Sequence, residues 1–391
     1  MKSKWVTRPL GELVRFSSGG TPSKKRADYW KGNIPWISAK TLKSERITTS
    51  DLFISEAGLN TGSKIAPRGS ILLLIRGSGL FNGIPVGLVE REVAFNQDIK
   101  CLNSCSEVEN RFIFYWLISQ QRYLMAKVGV TGIGAGKFDL DFLQKLEVPI
   151  PSKQERTQIV AFIDALSNKI ELNHRINDIL QQQAFAIFDR LLSNDHSSEC
   201  YLSQIAIINP KRILKKNEPA RCIDMAQLST SGSFPAGWEV KPYNGGMRFS
   251  NGDTLLARIT PCLENGKAAY IDFLNENEVA FGSTEYVVIA SQGEYLPEFF
   301  YCLARYPSFV DYAVKNMNGS SGRQRVSAET IGNYVLPVLT NDELSEFRST
   351  VPCLFKAMKN NSIENINLAQ LRDTLLPKLM SGEIEVSNIQ F

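Results

Sequence analysis

The stretch "GVTGIGAGKF", Gly129–Phe138, is rich enough in glycine to raise the question of a phosphate cradle. A P-loop needs Gly, four residues, Gly-Lys and then a hydroxyl that holds magnesium. Here Thr131 stands at the first glycine position and Phe138 follows Lys137, so both outer requirements fail. Asp224 with Glu239-x-Lys241 has the spacing of a nuclease centre, in which carboxylates hold magnesium and lysine polarises water. Ile223 stands where such motifs carry Pro, and an Asp near a Glu-x-Lys arises readily by chance. No Asn/Asp-Pro-Pro-aromatic run is present, as an amino-methyltransferase requires. The two histidines, His174 and His196, lie far from the close cysteine pair Cys101 and Cys105, which argues against zinc and for solvent-facing or capping roles. The expectation is a noncatalytic chain with no metal and no cofactor of its own.

Composition bounds the remaining choices. With 391 residues, 43% apolar and 21% charged, the chain has room for two or three globular domains. No apolar run is long enough to span a bilayer; the longest, Ser70–Ile75, reads as a buried strand. The N-terminus lacks a signal-peptide core, and seven scattered cysteines make no disulfide framework, so a cytoplasmic location without a membrane partner is expected. The net charge of +4 is unevenly spread: residues 1–153 hold 22 Lys+Arg against 13 Asp+Glu, whereas residues 197–340 hold 13 against 14. The basic residues of the first segment sit in loops, among them Lys24, Lys25, Arg26, Lys40, Lys43, Lys64, Arg68 and Arg76. Such a cluster suits a polyanion, although a solvated surface accounts for it equally well.

These candidate residues recur in a chain written twice. "AFNQDIKCL" at 94–102 returns as "AFGSTEYVVI" at 280–289, "PRGSILLLIR" at 67–76 as "SNGDTLLARI" at 250–259, and "KLEVPIPSKQE" at 145–155 as "NYVLPVLTNDE" at 333–343. At the last offset, 188, the glycine loop "TGIGAGKF" pairs with "GSSGRQRV", Gly319–Val326. Glycine lets backbone approach a surface closely, and Ser, Arg and Gln supply donors to phosphates and base edges. The alternative is a tight connection whose glycines only permit the turn. Residues 109–127 and 297–315 read as one matching helix per copy, with aromatics that belong to the core.

Each copy ends in a long helical pattern, 154–196 and 341–391. Apolar residues recur at alternating steps of four and three through Ile163, Ile170, Leu180 and, in the second copy, Met358, Leu368 and Leu375. Asn173 and Asn177 interrupt the first seam, and Asn361 and Asn365 interrupt the second at matching places. This is a coiled-coil seam with in-register polar layers, rather than an amphipathic helix lying only on its own domain. Antiparallel pairing centred on the asparagines places Asn173 opposite Asn365 and Asn177 opposite Asn361. Pro352 interrupts the second helix, with Ser349 and Thr350 available to cap a restart, and Pro377 implies that Leu379 is kinked or frayed. The expected fold class is α+β: two pseudo-repeated mixed-sheet domains, 1–153 and 197–340, separated by two long helices paired as an antiparallel coiled coil.

On these residues the chain resembles a known family. "GDTLLARITPCLENGKAAYIDFLNENEVAFGSTEYVVI" at 252–289 is similar to the second target-recognition domain of type I restriction–modification specificity subunits. "GGTPSKKRADYWKGNIPWISAKTL" at 19–42 resembles the opening of their first, and "GSSGRQRV" and "LRDTLLPKLMSGEIEV" at 371–386 are also similar. The resemblance covers essentially the whole chain. It implies a noncatalytic reader of double-stranded DNA that recruits modification subunits, two in number, and restriction subunits. S-adenosylmethionine, ATP and magnesium then belong to those partners. Matching positions imply DNA contact at Thr21, Ser23, Lys24, Lys25, Arg26, Ser38, Lys40, Thr41, Arg76, Ser78 and Lys137 in the first domain. In the second they imply Arg258, Asn265, Lys267, Ser283, Thr284, Ser320, Ser321, Arg323, Gln324 and Arg325. Arg258 has no in-register arginine in the first copy, where Arg76 sits one step off. The alternative from another class is a coiled-coil scaffold or adaptor that never touches DNA, in keeping with the near-neutral second domain.

Two different readers on a rigid spacer recognise an asymmetric, bipartite site with an unread gap. Inserting four residues near Gln181 adds about 6 Å of helix and roughly one turn. Methylation mapping should then return the same two half-sites with a longer gap; a change in the bases read at constant gap would contradict the ruler.

Overall fold

The apolar run at Ser70–Ile75 forms a strand, Ile71–Leu74, whose four side chains are all fully buried. A strand buried on both faces needs partners on both edges, and it has them: Ile99–Ser104 on one side and Val86–Val89 on the other, both antiparallel. The computed structural model describes residues 5–132, 134–193, 196–320 and 322–386. In the second copy, Thr254–Ala257 takes the same central place between Tyr286–Ser291 and Ala268–Tyr270. The turn that enters each central strand is the same. Gly69 and Gly252 adopt φ of +84° and +87°, a left-handed conformation that favours glycine, and donate their N–H groups to the carbonyls of Val89 and Ile271.

A second sheet in each copy contains one parallel pair, Ile34–Ile37 with Val93–Phe95 and Pro219–Ile223 with Ala280–Gly282. A short antiparallel pair closes each domain: Val6–Pro9 with Glu147–Ile150, and Glu199–Tyr201 with Val335–Pro337. The repeat seen in the sequence is thus a repeat of strand connectivity. The expected single helices are each broken in two, Asn110–Ser119 with Gln121–Met125 and Pro297–Arg305 with Pro307–Lys315. In the second copy the break has a clear cause. Tyr306 precedes Pro307 and is forced out of the helical region, to ψ of 127°. Most aromatics of these helices, including Phe112, Phe299, Phe300 and Phe309, lie in the core, whereas Tyr123 is exposed.

The two long helices run from Lys153 to Leu192 and from Glu343 to Met380. The chain divides into two units, and the division falls inside both helices, after Ser167 and after Ala369. The reason lies in the cores. In the first unit Ile159, Phe162 and Ile163 join Leu376, Leu379 and Met380 in one apolar cluster with the first domain's sheet. In the second, Ala184, Phe188 and Leu191 join Phe347, Val351, Phe355 and Met358. Each sheet domain therefore packs on the N-terminal end of one helix and the C-terminal end of the other.

Pairing is antiparallel. Asn173 donates to the Asn365 side-chain carbonyl at 2.9 Å, and Asn361 donates to that of Asn177 at 2.8 Å. Asn173 also donates to Glu364 at 2.7 Å, and Lys169 lies 3.2 Å from the same carboxylate. Two expectations about proline are corrected. The second helix is continuous through Pro352, and Ser349 bonds back to the Glu346 carbonyl instead of capping a new start. The helix begins at a reciprocal cap, where Thr340 accepts from the Glu343 N–H and Glu343 accepts from the Thr340 N–H. Pro352 forfeits one backbone bond, and the burial of Val351 and Phe355 on either side offsets that loss. Leu379, beyond Pro377, is fully buried rather than frayed. The seam is also wider than expected, with Ile170, Leu180, Leu368 and Leu375 half-buried and phenylalanines beside it taking the core positions. No helix among the described residues is long and apolar enough to cross a membrane.

Asn173 is fully buried and Asn365 nearly so. Replacing Asn365 removes the buried bond between the two amides and leaves Asn173 only its bond to Glu364, at about 0.5–1.5 kcal/mol. Asn365→Leu should therefore lower the urea midpoint, and adding Asn173→Leu should restore most of the loss. Equal midpoints for the wild type and the single variant would show that the layer does not fix the helices.

Candidate nucleic-acid interface

The glycine loop of the first copy is the tip of a hairpin. Gly129–Val130 pairs with Gly136–Lys137, and the latter pairs in turn with Arg76–Gly77. Gly134 makes the turn at φ of +79°, and its counterpart at the 188 offset, Gly322, does so at +80°. The hydroxyl of Thr131 and its carbonyl close the loop on the Ala135 and Gly134 amides. The loop's own polar groups thus go to shaping it, and Lys137 is left exposed on its edge.

The ladder makes the two copies superposable residue by residue. Lys137 faces Arg76 across the pair of strands, while Arg325 faces Ile259. Phe138 donates its N–H to the Ile75 carbonyl, and Val326 donates to that of Arg258. Lys137 and Arg325 are therefore equivalent, as are Ile75 and Arg258, and Arg76 does sit one step from the Arg258 position. Each copy carries cations on both strands of this edge, Arg76 and Lys137 in the first and Arg258 and Arg325 in the second.

The electrostatics of the two edges differ. In the second copy Glu285 accepts from Arg325 Nε at 3.0 and 2.9 Å and from Nη2 at 2.7 Å, and from Arg258 Nε at 3.2 Å. Arg325 first and Arg258 second hold this carboxyl below the usual glutamate range. Arg325 Nη1 donates to the Arg323 carbonyl, so every nitrogen of that guanidinium has a protein partner. Asn318 and Arg325 exchange backbone bonds at 2.9 Å, which pins the base of the loop. Arg323 itself is exposed and its side chain makes no ion pair among the described residues. Ser321 lies outside the described residues.

Other expected positions gather around these edges. Thr21 donates to Gln97, whose neighbour Asp98 offers its carbonyl to the N–H groups of Ile75 and Arg76. Ser38 and Thr41 close a turn at the end of the strand Ile34–Ile37, with Lys40 exposed on it. Ser78 is exposed just after Arg76. In the second copy Ser283 caps the Glu285 N–H, Thr284 is exposed, and Lys267 donates to the Met225 carbonyl. Asn265 is exposed in the turn that follows Pro261, and Gln324 accepts from the Thr260 N–H. Ser320 accepts from Arg323 N–H. Arg26 is forked onto Asp28 and lies 4.8 Å over the Tyr29 ring, whereas Lys24 and Lys25 stay exposed.

Topology adds residues that sequence spacing does not reveal. The loop at 19–33 follows the strand Val14–Ser18, and its counterpart follows Ala206–Ile208. That counterpart contains Lys211, Arg212, Lys215 and Lys216. Because it is shorter and shares no motif with 19–26, only the common strand order identifies it. The nuclease spacing resolves into an ion cluster: Lys241 Nζ lies 2.9 Å from both Asp224 and Glu239. His196 is a capping group, within 3.1 Å of the Leu191 carbonyl and 3.2 Å of Glu343.

Comparisons with known proteins agree with this architecture. Residues 2–182 match the family model described as type I restriction modification DNA specificity domain. The type I restriction enzyme EcoR124I/EcoR124II specificity subunit of Escherichia coli is 30% identical over 172 residues, 43% of this chain. That match spans only 42% of the relative's own length. The MjaIX specificity subunit of Methanocaldococcus jannaschii is 23% identical across 98% of this chain and 94% of that protein. Among solved structures, the type I restriction–modification S subunit from M. genitalium superposes with a TM-score of 0.60. It is 17% identical and covers 97% of this chain and 96% of its own, which establishes a shared fold. With its duplicated sheet domains and paired long helices, the chain shares the fold of a type I restriction–modification S subunit, and its first 182 residues are similar to the DNA specificity domain of that family.

Proposed function

We propose that this chain is the noncatalytic subunit that reads DNA for a type I restriction–modification complex. Each domain would read one half of an asymmetric, bipartite target. The observation that carries the reading is the equivalent placement of a cation-bearing glycine loop in two diverged copies, Lys137 in one and Arg325 in the other. Exposed cations on a loop edge supply phosphate contacts, and an arginine fork can pair with guanine O6 and N7. Different side chains at equivalent positions make the two half-sites different.

The surface of the paired helices would recruit modification and restriction subunits. The relatives are named as subunits of restriction enzymes, which supports this assembly role. In this reading S-adenosylmethionine, ATP and magnesium act on the partner subunits. The residues of this chain contribute recognition and positioning only.

The test is DNA binding by the chain assembled with its modification subunits, over a range of salt. Arg323→Ala should cost about 1–3 kcal/mol for the mapped target and relax only the second half-site, as expected for a side chain that reads a base. Lys137→Ala should weaken all sequences alike and reduce the salt slope by about one. Wild-type complex that binds its mapped target no better than random duplex would overturn the proposal and leave a scaffold that does not read DNA.

A further inference from the structure

We propose that Glu285 is a specificity-determining positioning residue: it holds Arg258 and Arg325 at the recognition edge and withholds them from backbone phosphates. The inference rests on the DNA-reading function proposed above and assigns the second domain a division of labour that the first lacks.

The geometry is that of a shared clamp. One carboxylate takes Arg325 through Nε and Nη2 and Arg258 through Nε, and its own backbone carbonyl accepts the Arg258 N–H at 3.0 Å. Ser283 fixes the Glu285 backbone through its N–H. Glu285 is thereby tied to the central strand, to the turn that precedes Tyr286, and to the loop that ends at Arg325. Two cations and one anion on this edge leave a single net positive charge.

The equivalent edge of the first domain is built otherwise. Asp98 occupies the Glu285 position, since its carbonyl accepts the N–H groups of Ile75 and Arg76 as that of Glu285 accepts Arg258. Its shorter carboxylate accepts from Asn96 Nδ2 at 3.0 Å. Arg76 and Lys137 face one another, both exposed, and neither side chain has an ion-pair partner among the described residues.

This difference has a consequence for what each edge can bind. A phosphate approaching Arg325 meets a carboxylate already seated on the fork, and like charges repel. A neutral base edge meets no such repulsion. The remaining arginine N–H groups can donate to guanine, and the carboxylate can accept from the amino group of cytosine. Glu285 therefore favours bases over backbone, while Arg76 and Lys137 remain available to any duplex.

The experiment uses the complex assembled with its modification subunits, a duplex carrying the target identified by methylation mapping, and a random duplex of equal length. Glu285→Gln keeps the shape and removes the charge. It should bind random duplex about tenfold more tightly at low salt, with a slope steeper by about one to two, because each new phosphate contact adds about 0.9. The preference for target should fall at least tenfold, with the relaxed bases confined to the second half-site. Adding Arg258→Gln should remove about one unit of the gained slope. Glu276→Gln, an exposed carboxylate on the same unit, controls for net charge and should leave the slope near that of wild type.

If wild-type complex prefers its target but Glu285→Gln changes neither slope nor preference, or changes them no more than Glu276→Gln, the assigned role is wrong while DNA reading stands. If wild type shows no preference for its target, both readings fall. A slope gain that survives the addition of Arg258→Gln in full would show that Arg258 is not a released cation, and would overturn the shared clamp.

Discussion

The constraint on which the rest of this structure depends is the antiparallel register of the two long helices. It is fixed where Asn173 meets Asn365 and Asn361 meets Asn177. A buried amide has few acceptable partners, so sliding the helices by one turn would leave these groups unpaired in a dry seam. An apolar seam of leucines would tolerate such a slip. Register matters here because both cores use both helices: Leu379 and Met380 belong to the first unit, and Phe347 and Val351 to the second. A slip would unpack each domain from half of its helical support.

This sharing explains why a duplicated chain need not be two independent domains in sequence order. A single copy, sheet domain plus its own following helix, would bury only one end of that helix. The other copy supplies the missing surface. The capped start at Thr340 and Glu343 and the buried end around Leu379 place the second helix so that its two ends serve different cores. Pro352 is tolerated within that helix because packing on both sides of it outweighs one lost backbone bond.

The two glycine-loop edges have diverged electrostatically. The hairpin ladder, the left-handed glycines at Gly134 and Gly322, and the carbonyl of Asp98 or Glu285 are the same device in both copies. What differs is where the charges go. The first edge leaves Arg76 and Lys137 exposed to solvent, and the second gathers Arg258 and Arg325 onto one carboxylate. One additional methylene, Glu285 in place of Asp98, lets a side chain reach across the edge instead of folding back on Asn96. The formal charge of the first segment and the neutrality of the second have their local expression in this contrast.

How much of this was legible beforehand follows from the range of the forces involved. Strand runs such as Ile71–Leu74, the repeat, and the asparagine-marked seam were readable because period and in-register polar layers are local properties of the chain. The departure of the loop "TGIGAGKF" from a P-loop, at Thr131 and Phe138, was readable because that motif is specified by adjacent residues. The breaks at Gln120 and Tyr306, the continuity through Pro352 and the basic loop at 211–216 were hidden, because packing from distant segments or a shared strand order decides them. Arg258, Arg325 and Glu285 were visible as residue types, two of them as expected DNA contacts. That they form one clamp was decided by tertiary structure alone, since a salt bridge depends on a few ångströms between side chains 27 and 40 residues apart. The sequence determined the duplicated architecture and the antiparallel register; the fold decided which charges are free to meet a partner.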